Sequence, residues 1–327
     1  MYRKVAAVAF STLLAACIIG FMLFRVWDDL LTALVHSDPL FLALAVLICS
    51  ISWWIRGYRY QVILEGLAVR ISLGFSTACI LISQTANLIV PARLGDLVRV
   101  VILKHENKAT VSQGISSVVV ERVFDILMVA ILGALSLPLV LDYLDVPDWF
   151  VTVTLLPIIL GVVFFLFLLA MKDRESKNKY LRIVLTMFNE VRAASLSLKS
   201  LVLLSGTSLV IWLLDALACG AVVAMFGEKI PFVVVILAVV IGNLVKAVPL
   251  TPGGVGTYEL SVALTFQLAG VSPAVATLIA VIDHLIKNLV TAAGGIISIY
   301  AFGDWVLPAL KKTIERGRNG GEDGGGS

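Results

Sequence analysis

Long apolar runs recur along this chain at lengths that suit a bilayer. Residues 5–24 form one, and residues 39–55 form a second that crosses if Arg56 snorkels at its end. Residues 71–92 are uncharged but hold Gln84, Asn87 and Pro91, and residues 111–141 are apolar except for Glu121, Arg122 and Asp125. Residues 149–171 are a clean run, and residues 200–227 are broken only by Asp215. Residues 230–258 carry Asn243, Lys246, Pro249, Pro252 and several glycines. A short apolar arm follows over 260–270, and residues 272–303 enclose Asp283, His284 and Lys287. Between two runs, Tyr180, Leu181, Val184, Leu185, Phe188 and Val191 repeat at helical spacing amid Lys and Arg. That spacing predicts an amphipathic helix over about 176–195 on the inner leaflet, in contact with anionic lipids. The pattern predicts an all-α polytopic membrane protein.

Charge asymmetry decides which runs cross. The stretches 3–4, 56–70, 93–108, 172–199 and 311–318 hold 20 of the 25 Lys and Arg residues. Arg25 and Lys229 lie in the opposite loops, which are otherwise acidic (Asp28, Asp29, Asp38, Asp142, Asp145, Asp148, Glu228). A full crossing by 71–92 would strand the positives of 93–108 outside, and those of 172–199 after them. The expected topology is therefore six full spans plus two opposed re-entrant hairpins, 71–101 from the cytoplasm and 230–269 from outside. Both termini are then cytoplasmic, and the charge pattern suits a prokaryotic plasma membrane. Residues 89–96 resemble residues 250–257, with Pro91 and Gly95 recurring as Pro252 and Gly256 161 residues later. This predicts an inverted-topology repeat, about 5–141 and about 149–302, within one transmembrane domain spanning 1–302. Residues 303–327 read as a basic, then Gly-rich flexible cytoplasmic tail.

Composition closes other classes. Of 327 residues, 60% are hydrophobic and 14% charged, with mean hydropathy +1.02, far from a soluble enzyme. Cys17, Cys49, Cys79 and Cys219 lie in apolar runs without a C-x-x-C pair and read as buried hydrophobes. His36, His105 and His284 are too scattered for zinc, and no nucleotide-binding or serine-nucleophile motif occurs. No cofactor or metal is expected, and no nucleic-acid partner. Residues 14–17 resemble a lipoprotein cleavage box, but the run continues to Phe24, so this is read as an uncleaved span.

An ionisable side chain inside the membrane costs about 2.5–3.5 kcal/mol even on a lenient scale, so clusters of them need a reason. Glu121 lies ten residues past Val111, about 15 Å along a helix, with Asp125 one turn on and Arg122 within pairing reach. Asp283 lies ten residues past Pro273, with Lys287 one turn on, either a functional group or a self-neutralising i,i+4 pair. His284 is expected to be packed or hydrogen-bonded, and Asp215 to pair for packing. The hairpin tips should meet the two clusters. Arg93 and Asp96 follow Pro91, with Arg99 on the return arm. Lys246 precedes Pro252, Gly253, Gly254 and Gly256, and Glu259 opens the other return arm. Free backbone N–H groups where each return helix starts, beside Arg93 or Lys246, would suit a phosphate or carboxylate.

The strings Pro91-x-Arg93-x-Gly95-Asp96-x-x-Arg99, Glu121-Arg122-x-x-Asp125 and Pro252-Gly253-Gly254-Val255-Gly256-x-x-Glu259 resemble the transmembrane domain of the lysylphosphatidylglycerol synthase/flippase family. The resemblance covers about Val5 to Phe302. It implies a lipid-handling membrane protein, since family members are associated with moving aminoacylated phospholipid, and others with polyprenyl-phosphate sugars or hopanoids. It also places Arg93, Asp96, Arg99, Glu121, Arg122, Asp125 and Glu259 at the family's charged positions. The synthases carry a soluble aminoacyl-transferase domain after the membrane part. Here a short basic tail follows Phe302, so lysyl transfer is not expected. Asp96 stands where Glu is common, and Asp283 and Lys287 stand where relatives often have Arg.

The leading expectation is a flippase-like transporter of an anionic or aminoacylated phospholipid, or of a polyprenyl-phosphate-linked lipid. Gly95, Pro252, Gly253, Gly254 and Gly256 would shape its site, and Glu121, Asp125, Glu259, Asp283 and Lys287 are candidates for ion or proton coupling. Two alternatives stay open: a membrane-embedded transferase or hydrolase on a lipid phosphate, and an anchor for a glycosyltransferase or other lipid-modifying enzyme.

Overall fold

A computed structural model describes residues 2–35, 37–90, 93–106, 108–140, 179–247 and 251–302, with isolated positions between 156 and 170. Most of the expected span 149–171 lies outside the described residues. So do Pro91, Pro249, Asp142, Asp145, Asp148, residues 176–178 and the tail 303–327.

Every described element is helical. In chain order they are α1 (Tyr2–Arg25), α2 (Trp27–Val35), α3 (Pro39–Gly66), α4 (Leu73–Ile89), α5 (Asp96–His105) and α6 (Val111–Val140). Then come α7 (Lys179–Ser195), α8 (Leu198–Met225), α9 (Phe232–Ala247), a 3-10 turn (Pro252–Gly254), α10 (Thr257–Leu268) and α11 (Pro273–Phe302). The starts follow local chemistry. Asp38 accepts the Leu40 N–H at 2.9 Å with Pro39 in the first turn, and Ser197 accepts the Ser200 N–H at 3.0 Å.

Among the described residues, four helices are long and apolar enough to cross a membrane: Pro39–Gly66, Val111–Val140, Leu198–Met225 and Pro273–Ala301. By contrast α4, at 17 residues, reaches about 25 Å and α5, at 10, about 15 Å, both short of a hydrocarbon core of about 30 Å. The same holds for α9 and α10, with 16 and 12 residues. Each pair folds back on itself around a break where a residue preceding proline is extended. These are Val90 (ψ 122°) before Pro91 and Thr251 (ψ 151°) before Pro252.

Polarity is distributed inside out. Arg59 and Arg99 are 1% and 0% exposed, whereas Leu40, Leu135 and Ile297 are 72%, 63% and 69% exposed. An apolar surface around a charged interior belongs in lipid.

The helices pack in reciprocal pairs. The long helices α3 and α8 cross each other, α4 lies on α11 while α9 lies on α6, and α5 lies on α6 while α10 lies on α11. Two of these seams differ in kind. Between α4 and α11 the Thr85 hydroxyl donates to the Thr291 carbonyl at 2.9 Å, and a side chain at Gly294 would sit 2.9 Å from Leu81. Between α6 and α9 the contact is apolar, with Met128, Val129 and Leu132 clustered with Val240.

Two expectations are corrected here. Arg56 and Arg59 are not loop residues and Arg56 does not snorkel, because α3 runs on to Gly66 and turns both side chains inward to carboxylates on other helices. Cys17 is exposed on α1, while Cys49, Cys79 and Cys219 are buried as expected. Helix α7 packs on α6, where Glu190 accepts from Ser112 and Ser116 at 2.7 Å each.

Candidate functional site

Two long helices and the first hairpin meet in a ladder of alternating charge. Arg99 of α5 pairs with Glu121 of α6, and Glu121 lies 3.5 Å from Arg59 of α3. Arg59 reaches Asp125 at 2.6 Å, Asp125 lies 4.0 Å from Arg122, and Arg122 grips Asp96 of α5 at 2.6 and 3.1 Å. Asp96 also accepts from Asn87 at 2.9 Å and Gln84 at 3.2 Å, both on α4. Arg99 lies over the Tyr60 ring at 4.8 Å. Buried charges persist where each has a close partner, and this ladder gives one to every member, although Nε and Nη2 of Arg59 and of Arg99 are buried without a hydrogen bond. It fastens the first hairpin to α3 and α6.

The second cluster is separate. Lys287 pairs with Asp283 at 2.8 Å, and Tyr258 of α10 donates to Asp283 at 2.7 Å. His284 Nδ1 meets Glu259 at 2.7 Å, and its Nε2 meets Lys246 at 3.2 Å. A carboxylate only accepts, so Nδ1 carries the proton and Nε2 receives the Lys246 ammonium. A third pair links the crossing helices, Arg56 of α3 to Asp215 of α8 at 2.6 Å.

These groups surround a cavity of about 410 Å³ at the crossing of α3 and α8, into which both hairpin breaks project. Arg93, Glu121, Arg122, Asp125, Lys246, Gly253, Gly254 and Lys287 are on its wall. Gly95, Asp96, Arg99, Pro252, Gly256, Glu259 and Asp283 are not on that wall and stand behind it. Among the described residues, Arg93 has no hydrogen-bond or ion-pair partner, and Lys246 has His284 without a facing carboxylate of its own. Arg93 also holds a left-handed φ of 55°, a conformation costing a side-chain-bearing residue roughly 1–2 kcal/mol.

Part of the backbone at the tips is engaged locally. Glu259 folds back to accept the Gly256 N–H at 2.7 Å, and Leu97 and Val98 N–H groups close turns on Leu94 and Gly95. Gly254 has φ 77°, and a side chain there would meet the Lys246 stem at 2.5 Å, so glycine is what lets Lys246 reach the cavity.

Sequence reading missed Arg56, Arg59 and the direct place of Asp215 on the wall. A charge ending an apolar run looks like an interface residue until a buried partner on another helix is known. The Glu259 cap had a local signal, since an acid three residues after a helix-opening residue is a capping pattern.

Comparison with known proteins now adds to this geometry. The model of the lysylphosphatidylglycerol synthase TM region matches residues 5–295. The chain belongs to this family. It is 31% identical to a protein of Haloferax volcanii named Glycosyltransferase AglD, over 96% of this chain and 57% of that one. The chain thus spans little more than half of that relative. It is 24% identical to a UPF0104 membrane protein of Methanothermobacter thermautotrophicus, over 86% and 91% of the two chains. A UPF0104 membrane protein of Methanocaldococcus jannaschii is 28% identical over 65% of this chain and 92% of that one. This is therefore a membrane protein of the lysylphosphatidylglycerol synthase TM family, and the resemblance seen in its charged motifs holds along nearly the whole chain.

Proposed function

We propose that the protein moves a lipid with an anionic headgroup, an anionic phospholipid or a polyprenyl-phosphate-linked lipid, between membrane leaflets. The observation that carries this reading is the placement of Arg93 and Lys246, one from each hairpin break, on a single cavity and outside the ion-pair ladder. A cation without a counter-charge in a buried polar cavity is matched best by an anion from outside the protein. Trp212 Nε1 and Asn87 Oδ1, on wall residues, are buried without partners among the described residues and would bond to a polar headgroup.

In this reading the reciprocal packing is an inverted repeat of six spans and two re-entrant hairpins in the plasma membrane, with cytoplasmic termini. The halves rock about a midplane site, which is how such repeats expose one site to both sides. A relative named as a glycosyltransferase favours a sugar-bearing polyprenyl phosphate as cargo. The same relative favours a second reading, in which this domain anchors a glycosyltransferase at its lipid.

The test is headgroup translocation in proteoliposomes, with labelled phosphatidylglycerol and a labelled polyprenyl phosphate as probes. Wild type should translocate one of them, and Arg93→Ala, folded to the same extent, should not. Equal translocation by both proteins removes the site. Translocation of neither lipid by wild type, together with co-purification of a glycosyltransferase, gives the anchor reading precedence.

A further inference from the structure

Resting on that anion site, we infer that Lys246, His284 and Glu259 form a proton site whose occupancy is linked to headgroup binding, so that the lipid is carried together with a proton. Arg56, Arg59, Arg99, Arg122 and Lys287 are each matched by a carboxylate: Asp215, Asp125, Glu121, Asp96 and Asp283. Among the described residues at the cavity, Arg93 and the chain Lys246–His284–Glu259 are left. With ammonium, neutral imidazole and carboxylate, that chain has no net charge. Among the described residues the cavity therefore holds one uncompensated cation, Arg93.

The Lys246 ammonium donates to His284 Nε2 at 3.2 Å, which occupies the ring's lone pair. An imidazolium at that distance would face a second cation, so this arrangement excludes the proton. An anion between Arg93 and Lys246 draws the ammonium onto a headgroup oxygen and frees Nε2. A proton from solution then bonds to Nε2, and the resulting imidazolium keeps its Nδ1–H bond to Glu259. No other bond forms or breaks. The headgroup brings one negative charge and the proton one positive, so the net charge of the site is the same loaded and empty.

The surroundings of His284 are consistent with a change of one charge. From α10, Tyr258 stacks at 4.5 Å between ring centroids, and its hydroxyl is engaged with Asp283. On α11, Asp283 and Lys287 neutralise each other. Across the cavity, Arg56 of α3 and Asp215 of α8 do the same, with the Cys49 thiol beside them. From the first hairpin come Arg93 at its break and the uncharged Gln84 and Asn87 of α4. The paired Glu121, Arg122 and Asp125 of α6 lie on the wall, and Asp29 of α2 lies toward the start of α11. Histidine is the side chain suited to exchange a proton near neutral pH.

Linkage is reciprocal, so the proton must tighten anion binding as much as the anion tightens proton binding. The test is calorimetric titration of the purified full chain in detergent with dioctanoyl phosphatidylglycerol, a phosphodiester whose charge is constant between pH 6 and 8. Titrations in buffers of different ionisation enthalpy count the protons taken up. Wild type should take up close to one proton per lipid at the pH where the linkage is strongest. Its affinity should fall up to about tenfold per unit of rising pH. His284→Gln should bind with no proton uptake and no pH dependence. Glu259→Gln, which keeps the cap on Gly256, should lose the uptake too. Binding by wild type with no proton uptake overturns this inference and leaves the anion site standing. Uptake unchanged in both variants assigns the proton elsewhere and also overturns it. No binding by wild type removes the anion site itself.

Discussion

Arg59 is the central cation of the ladder, 1% exposed, 2.6 Å from Asp125 and 3.5 Å from Glu121. Arg59→Met keeps most of the stem volume and removes the charge. Glu121 retains Arg99, but Asp125 is left with Arg122 at 4.0 Å, a side chain already committed to Asp96. Breaking a buried pair from one side costs about 3–5 kcal/mol, and the surviving contact to Arg122 places this variant near the lower bound, about 3 kcal/mol. Adding Asp125→Leu removes the orphaned carboxylate and leaves two complete pairs, Arg99–Glu121 and Arg122–Asp96. The double variant should therefore return to within about 1 kcal/mol of wild type, since buried pairs replaced whole by apolar groups are often neutral. Unfolding by SDS in mixed micelles, followed by tryptophan fluorescence, measures all four corners of the cycle. A double variant that loses the sum of the two singles would refute the reasoning, because the residues would then be energetically independent.

Gly254→Ala should lose about 1–2 kcal/mol of stability through its left-handed φ and should also weaken headgroup binding, because the new methyl displaces Lys246. Equal binding in that variant would detach Lys246 from the site. Arg56→Asp should destabilise the crossing of α3 and α8, and adding Asp215→Arg should restore most of the loss in the same micelle assay. Glu190→Ala removes the acceptor of two serine hydroxyls and should loosen α7 by about 2 kcal/mol, read as faster tryptic cleavage at Arg182 and Arg192.

Much of the fold is legible in the order of apolar runs and their interruptions. Proline restricts the residue before it, so Val90 ends its helix and Thr251 is held extended at the start of the Pro252–Gly254 turn wherever the rest of the chain lies. The charge clusters of α6 and α11 were visible because a charge in mid-run has a cost that sequence alone reveals. Their partners were not. Arg122 pairs with Asp96, and Asp125 with Arg59, across gaps of 26 and 66 residues set by packing and not by periodicity. Arg56 shows the same limit from the other side: a charge at the end of an apolar stretch looks solvated until a carboxylate 159 residues away turns out to face it. At the second tip the Gly256 N–H goes to a local partner, because a helix start draws its nearest carboxylate, and Glu259 is three residues away.

The two seams imply a direction of movement. At Gly294 and Gly295 the backbone of α11 lies so close to α4 that neither helix slides along the other without collision. The opposite seam, with Met128 and Leu132 near Val240, is held by pliable apolar side chains that tolerate sliding. In the proposed transport cycle the two halves would then be hung like a door, with the hinge where the glycines are and the free edge at α6 and α9. On that proposal a disulfide placed by Met128→Cys and Val240→Cys should stop lipid exchange, while one placed by Leu81→Cys and Gly294→Cys should leave it running. Lipid tails would enter and leave past the free edge, and the headgroup pocket would turn about the other.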